Sequence, residues 1–363
     1  MTTEVDQDLI LREAQDGDLA AMLSVLQSAF PKWPPFEVDA GADAHLRWKM
    51  APPEGVPATT IVGCLDEQVV TVATRWAAHA RLGGKPCVVN SSADLAIPPE
   101  YQGRGFGRLV ANYSDELSAS QSELGISTRS KNAKVPKMFG ADNRDAPHFV
   151  RQPLRVWVRT GDASAFAATH LRGGGLSHLG RTAGRALAQL RRTADASTII
   201  EVGEIERFDE RIEALWNVVA PDFDYAIERR ASYLNWRYHA HGAGLAYVLG
   251  AFEGDALVGY AAFKRTPDWS NVLDLVTHPQ HQTAGVQLLE AGWSAMRESG
   301  ARGISCWFAP GHRDEATLQA AGFLDDGEGT QMTFRRRRDF DPFQILRRSG
   351  AKLHVTLGDF DFV

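Results

Sequence analysis

Residues 98–117 read PPEYQGRGFGRLVANYSDEL, with Gly103, Gly105 and Gly107 at alternate positions before a helical pattern. A strand end, a glycine turn and a helix start together suit an anion. First-turn N–H groups have no intrahelical acceptor and point outward, and the helix dipole adds partial positive charge there. Glycine lets the backbone approach a ligand with no Cβ in the way. Arg104 can add a charge-assisted contact. Spacing narrows the choice of anion. A dinucleotide fingerprint needs G-x-G-x-x-G, and here the third glycine comes one residue early. A P-loop needs G-x-x-x-x-G-K-[ST], and no Lys-Ser or Lys-Thr follows.

The elements that must position this turn are legible on either side. LILRE (9–13) alternates like a strand, and Asp18 stands as N-cap of a helix whose apolar residues are Leu19, Met22, Leu23, Val25 and Leu26. Pro31, Pro34 and Pro35 end it. TTIVGCLDEQVVTVATRWAAHARL (59–82) predicts a hairpin turning at Asp66-Glu67-Gln68, and PCVVNSSADLAI (86–97) a further strand. A helix over about 105–123, closed by Gly125, and a short strand at ISTRS (126–130) follow. Residues 161–197 are rich in Ala, Gly and Arg and read as a connector, with an amphipathic helix over 178–192.

The chain then repeats itself. HLRWKM (45–50) matches YLNWRY (233–238), and each copy continues into a hairpin-like stretch, GCLDEQVVTV and GAFEGDALVGYAAF. DLAIPPEYQGRGFGRL (94–109) aligns without gaps with DLVTHPQHQTAGVQLL (274–289), keeping Asp94/Asp274, Leu95/Leu275, Pro99/Pro279, Gln102/Gln282, Gly105/Gly285 and Leu109/Leu289. Three matched segments in one order predict two copies of one fold, each with its own core.

The run LAIPPEYQGRGFG, with its Q-x-x-G-x-G spacing, resembles the pyrophosphate-binding motif of the GNAT (GCN5-related N-acetyltransferase) superfamily, and the opening LREAQDGDLAAML resembles that superfamily's first strand and helix. The likeness covers about 1–160 and, through the repeat, about 200–335. It implies an α/β (α+β) chain of two tandem GNAT folds, each a mixed, mostly antiparallel sheet flanked by helices. The expected domains are 1–160, catalytic; 161–197, connector; 198–335, a copy with a degenerate motif; and 336–363, a tail. The resemblance further implies acetyl-coenzyme A or another acyl-coenzyme A as cofactor. Its pyrophosphate would lie on Gln102, Gly103, Arg104, Gly105, Phe106, Gly107 and Arg108, and its arm along Leu95, Ala96 and Ile97, with Asn132 also in the cofactor set. An amine of a small molecule would attack the thioester directly, helped by a general base and a general acid. Asp94, Glu100 and Tyr113 are the catalytic candidates, with His148 a weaker one.

Departures from the pattern matter. The superfamily's N-x-x-A-x-x-x-Y acid position falls here on Phe139, which has no proton to give, and in the second copy on Leu318. The second copy also has Gln287 where the first has Gly107, and Thr283-Ala284 for Gly103-Arg104. It is therefore expected not to bind coenzyme A in the usual way, leaving the first copy catalytic. Asp94 recurs as Asp274 in that degenerate copy, which favours a structural role for it. Ser91 and Ser92 could meet substrate or merely satisfy edge-strand groups.

Other features read blandly. Trp48 and Trp236 are core positions with a charged rim. HAH (239–241) has no further ligands for a metal. RRRR (335–338) reads as a solvated basic end with local acidic partners, and KLHVTLGDFDFV as a final strand. The net charge of −6 argues against a nucleic-acid binder and against aminoacyl transfer from tRNA. Cys64, Cys87 and Cys306 are too scattered for a disulfide framework or zinc site and read as reduced, buried thiols. The acidic opening has no signal-peptide pattern, and no apolar run approaches a membrane span. A cytoplasmic enzyme, monomer or homodimer, is expected, with an acyl-coenzyme A sensor or scaffold lacking turnover and an aminoacyl-tRNA-dependent transferase as the rivals.

Overall fold

The computed structural model describes residues 8–34, 40–51, 53, 55–57, 59–128, 148–161, 199–240 and 246–360. Asn132, Phe139 and the expected 178–192 helix lie outside them. The chain forms two compact units that interleave along the sequence. One comprises Met1–Gln152, Ala240–Gly244 and Gln331–Arg347, and the other Pro153–His239, Leu245–Thr330 and Arg348–Val363. The contiguous blocks expected from the sequence do not have these boundaries.

In the first unit β1 (Ile10–Glu13) leads to α1 (Leu19–Ala29), α2 (Ala42–Met50), and the strands β2 (Ile61–Leu65), β3 (Gln68–Leu82) and β4 (Lys85–Ala96). Helix α3 (Phe106–Gln121), β5 (Leu124–Thr128) and the start of β6 (Phe149–Thr160) follow. Asp66 and Glu67 both take positive φ, which suits a two-residue hairpin turn whose twist matches its strands. Asp18 stands at the N-cap of α1, yet its carboxylate pairs with Arg12 at 2.6 Å and accepts the Gln15 amide at 2.7 Å, tying the helix start to β1. Gly125 does not close α3. The helix stops at Gln121, Ser122 turns extended, and Gly125 pairs inside β5. A Cβ there would meet the Arg337 guanidinium at 2.7 Å, so packing explains the glycine.

The second unit holds β7 (Glu201–Glu204), α4 (Arg211–Val219), β8 (Tyr225–Ile227), α5 (Ala231–Leu234) and a π-helical turn, Asn235–His239. Then come β9 (Ala246–Glu253), β10 (Ala256–Lys264), β11 (Asp268–Thr277), α6 (Gln282–Glu298), β12 (Ala301–Phe308), α7 (Glu315–Ala320), β13 (Leu324–Arg336) and β14 (Leu353–His354).

Both units use one strand plan. The first runs β1-β2-β3-β4-β5 and closes on the Met332–Arg336 end of β13, while the second runs β7-β9-β10-β11-β12 and closes on the Arg155–Thr160 end of β6. Only β4/β5 and β11/β12 in these two series are parallel. Each copy's late strand thus completes the other copy's sheet.

Burial follows the plan. In the first unit Met22, Val25, Leu26, Trp33, Leu46 and Ala96 pack on the α1/α2 face, and Ile61, Ala73, Val110, Leu95 and Tyr113 on the α3 face. In the second, Phe263, Leu275, Leu288, Leu289, Trp293, Met296 and Phe323 share one cluster. Trp48 and Trp236 are both buried, as core residues should be. The basic run finds most of its partners far away in sequence. Arg335 and Arg337 pair with Asp115, and Arg338 with Glu123; only Arg336 reaches a neighbour, Asp339 at 3.8 Å. The tail is not one strand, since β14 has two residues before a turn at Leu357–Asp359.

Candidate functional site

Strands β4 and β5 pair only from Val89 to Ser91, against Leu124 to Ile126. Beyond Ser91, β4 continues to Ala96 with β3 on its other side, where Thr74 faces Ala93 and Val72 faces Ala96. Asp94 and Leu95 therefore stand opposite the single residue Ala73, a one-residue bulge that kinks β4. The edge of β4 toward β5 thus has no strand partner over 92–96 among the described residues. A turn, Pro99–Tyr101, follows, and the Gln102 side chain donates to the Ile97 carbonyl at 2.9 Å, fastening the glycine loop to the strand end. Gly103 and Gly105 take φ +84° and +87°, a left-handed backbone that costs an L-residue about 1–2 kcal/mol. Helix α3 begins at Phe106, whose amide and that of Gly107 occupy its first two positions and have no intrahelical acceptor. The Phe106 ring is buried, anchoring the helix start, and the Arg104 guanidinium lies 4.8 Å over it. Arg108 is exposed in the first turn.

Beside the bulge, Asp94 holds φ +45°. Its carboxylate accepts Lys49 Nζ at 2.5 Å, Thr74 Oγ1 at 2.9 Å and Trp33 Nε1 at 3.0 Å. Burial alone would raise its pKa, but the Lys49 charge and these three hydrogen bonds outweigh burial and hold it below the usual range.

The second unit treats the same positions differently. Gln282 stands where Gln102 does, yet α6 already begins there, four residues earlier than the α3 start at Phe106. The turn is wound into one more helical turn. Ala284 and Gly285 are buried, and a Cβ on Gly285 would meet Thr317 Cγ2 at 2.7 Å and Thr277 Oγ1 at 2.9 Å. The carbonyl of Thr277, the counterpart of Ile97, accepts Arg313 Nη2 at 3.1 Å. Asp274 accepts Arg229 Nε at 2.9 Å and the Tyr260 hydroxyl at 2.6 Å. The tail fills in the remainder: Asp359 pairs with Arg229 at 2.9 Å, His354 lies 3.2 Å from Asp274, and the Gly358 carbonyl accepts Arg237 Nε at 2.8 Å. Burial, then the neighbouring His354 and Arg313, keep His312 neutral, and burial pushes the Asp314 carboxyl up to about 7.

No family model matches the sequence, and no curated protein matches it. Solved structures do match the fold. A GCN5-related N-acetyltransferase from Anabaena variabilis aligns with TM-score 0.57 at 12% identity, over 91% of this chain and 73% of that one. A conserved protein of unknown function from Enterococcus faecalis, a probable N-acyltransferase, aligns with TM-score 0.59 at 10% identity, over 90% and 72%. A tandem GNAT protein from the clavulanic acid biosynthesis pathway aligns with TM-score 0.51 at 15% identity, over 92% of this chain and all of that one (100%). The chain has a tandem GNAT fold. Identities this low speak for the fold alone.

Within this tandem GNAT fold, Leu95, Ala96 and Ile97 form the open strand end, and Gln102 to Gly105 form a turn that runs into the first helical residues, Phe106 to Arg108. The three catalytic candidates are not brought together. Asp94 bonds Trp33 and Lys49 on the α1/α2 face of β4, whereas the Tyr113 ring packs with Leu95 and Val110 on the α3 face. Glu100 is exposed in the Pro99–Tyr101 turn. His148, half-buried beside Phe149, has its pKa lowered by burial and then by Arg335 and Arg336. Among the described residues no cluster could hold a metal ion, and no helix is long and apolar enough to cross a membrane. Sequence reasoning missed the Lys49, Trp33 and Thr74 clamp on Asp94. The signal for Lys49 was there, since HLRWKM and YLNWRY repeat a base after the tryptophan, but in the second copy that base, Arg237, serves the tail.

Proposed function

We propose that this chain is an acyl-coenzyme A-dependent N-acyltransferase that works from its first copy, transferring an acetyl group to a primary amine of a small molecule. The observation that carries the reading is the contrast between two equivalent turns. The first is open, with two left-handed glycines, helix-start amides without an intrahelical acceptor and the basic Arg104 and Arg108 beside a strand edge that has no strand partner among the described residues. The second is wound into helix. The open turn suits a pyrophosphate in charge, in donors and in freedom from Cβ atoms.

When bound, acetyl-coenzyme A supplies the acyl thioester. The Gly103 to Gly107 backbone would hold the diphosphate, and Arg104 would leave the rings of Tyr101 and Phe106 to meet it. The β4 edge at Leu95–Ile97 would orient the pantetheine arm by backbone hydrogen bonds and direct an N–H toward the acyl oxygen, a preorganised donor of the oxyanion-hole kind. The acceptor amine would attack the thioester carbon directly from a ternary complex, forming the C–N bond as the C–S bond breaks. Coenzyme A would leave as its thiol, the amine's proton passing to the thiolate through solvent. That the three cysteines are all buried and none sits in the turn supports direct attack over a cysteine-bound acyl intermediate. Asp94 is a poor general base, since its oxygens are engaged and its proton affinity is lowered.

Calorimetry tests the reading, with one coenzyme A per chain expected. Thiol release on mixing acetyl-coenzyme A with an amine library separates transfer from a sensor without turnover, the rival that Phe139 at the acid position keeps in play. Two coenzyme A sites per chain, or binding without thiol release from any amine, overturns the proposal.

A further inference from the structure

The Asp94 side chain is held by three elements at once: the segment after α1 through Trp33, α2 through Lys49, and β3 through Thr74. Its backbone sits in the left-handed region, which a non-glycine residue keeps only when its surroundings over-determine it. It also lies at the one point of β4 where the register skips, just past the last pairing with β5. A clamp at that point fixes the peptide planes that lead into Leu95, Ala96 and Ile97.

The second copy shows the other outcome. Its register also skips beside Asp274, between Ala262 and Phe263. There the carboxylate accepts the amide of its own neighbour, Leu275, at 3.0 Å. In the first copy Asp94 Oδ1 goes to Trp33, and Oδ2 to Lys49 and Thr74. The first copy therefore draws the carboxylate toward α2, while the second shares it among Arg229, Tyr260, His354 and the amide of its own strand.

We propose that Lys49 is a positioning residue for acyl transfer: acting through Asp94, it sets the bulge that aims the Leu95–Ile97 edge at the acyl group. Neither side chain touches the reacting atoms. The inference rests on the acyltransferase reading above, and its test is chosen so that the two can fail separately.

The variant pair Lys49→Met with Asp94→Asn removes both charges together and so leaves no uncompensated buried ion. Coenzyme A affinity, to which the diphosphate on the glycine turn contributes most, is expected within about threefold of wild type by calorimetry, because neither replaced side chain belongs to that turn. The value of kcat is expected to fall about 30- to 100-fold with KM for acetyl-coenzyme A nearly unchanged, the size of effect that follows a small misplacement of reacting groups. Lys49→Arg, which keeps the charge, should recover most of kcat. A merely structural pair would lower the folded fraction, which lowers apparent kcat at constant KM, so kcat is taken per coenzyme A site counted by calorimetry; a loss that disappears on that basis is structural and overturns the inference.

Asp94→Asn alone is the second variant, should the pair not fold, and is held to the same split. If wild type turns over no amine, the acyltransferase reading fails, and the positioning claim is judged by amide NMR. Leu95 to Ile97 should shift differently with acetyl-coenzyme A than with coenzyme A in wild type, and that difference should vanish in the variants. Wild-type kcat in the variants, or an acetyl-dependent shift that survives in them, overturns the inference.

Discussion

Rewriting the first turn toward the second is the sharpest perturbation that the two copies suggest. Gly103→Thr, Arg104→Ala and Gly107→Gln together install the residues of the wound turn while leaving Gly105, common to both copies, and the buried Phe106 in place. A threonine introduced at position 103, where φ is +84°, carries a left-handed penalty of about 1–2 kcal/mol, and β-branching makes that position worse. Winding Gln102–Gly105 into α3 relieves the penalty, as in the second copy, where Gly285 sits inside α6. Wound amides then face carbonyls one turn back and no longer face the ligand. Each charge-assisted amide–phosphate bond contributes about 1.5–3 kcal/mol. Losing two such bonds weakens coenzyme A by about 3–6 kcal/mol, or roughly 10²- to 10⁴-fold. Titration calorimetry should show binding reduced by that factor, and far-UV circular dichroism should show a gain of about one helical turn. Affinity kept within about tenfold despite the added helix would refute the assignment of the pyrophosphate to these amides.

Further outcomes follow from the same geometry. Tyr113→Phe should leave kcat within about threefold, because the ring packs on the α3 face, away from Asp94; a fall of about 100-fold would make Tyr113 the general acid after all. Arg229→Met should destabilise the second unit by about 3–5 kcal/mol, because it leaves Asp274 and Asp359 buried without their cation. An unfolding midpoint unchanged in urea would contradict that. Asp314 should make stability fall with rising pH. Its carboxyl is raised from 3.8 to about 7, so between those values the folded chain keeps a proton that the unfolded chain has released. The contribution is therefore present below the unfolded value and lost as pH rises through the folded one. Asp314→Asn removes the slope and should gain on wild type by up to about 4 kcal/mol between pH 4 and pH 8. An advantage equal at both pH values would show that the raised pKa is not the cause.

What the sequence made legible was local. The Asp66–Glu67 hairpin, the β4 strand, the glycine turn and the start of α3 each rest on a few adjacent residues whose backbone preferences agree. The repeat carried this to the second copy, and so the tandem GNAT fold could be expected from two motifs and their echoes. Pairings across the chain were not legible. Nothing near residue 331 says that Met332–Arg336 will pair with Leu124–Thr128, because β pairing leaves no mark of its partner in either strand. The basic run was accordingly given local partners, when Asp115 on α3 and Glu123 just after it lie 220 and 215 residues earlier. Gly125 was read as a helix stop for a related reason: the space it must leave is for the guanidinium of Arg337, just past the end of that remote strand.

The same limit explains why the site divides as it does. A turn's conformation is fixed by its own glycines, so Gly103 and Gly107 against Thr283 and Gln287 already separated an open loop from a closed one. The clamp on Asp94 is fixed by side chains 20, 45 and 61 residues away, and no spacing rule connects them. Duplication then exposes the division of labour. Both copies keep an aspartate beside the β-bulge and give it a cation, so the carboxylate belongs to the architecture of the strand end. They differ in where the cation sits, on α2 in the first copy and just after β8 in the second, and in what else fills the space: the second copy adds its own tail through His354 and Asp359. A copy that closes its turn with helix and its aspartate with its own C-terminal segment has committed both features to stability. The copy that leaves the turn open and holds its aspartate from α2 keeps a strand end that a ligand can complete, and the loop swap and the Lys49 variants probe its two halves independently.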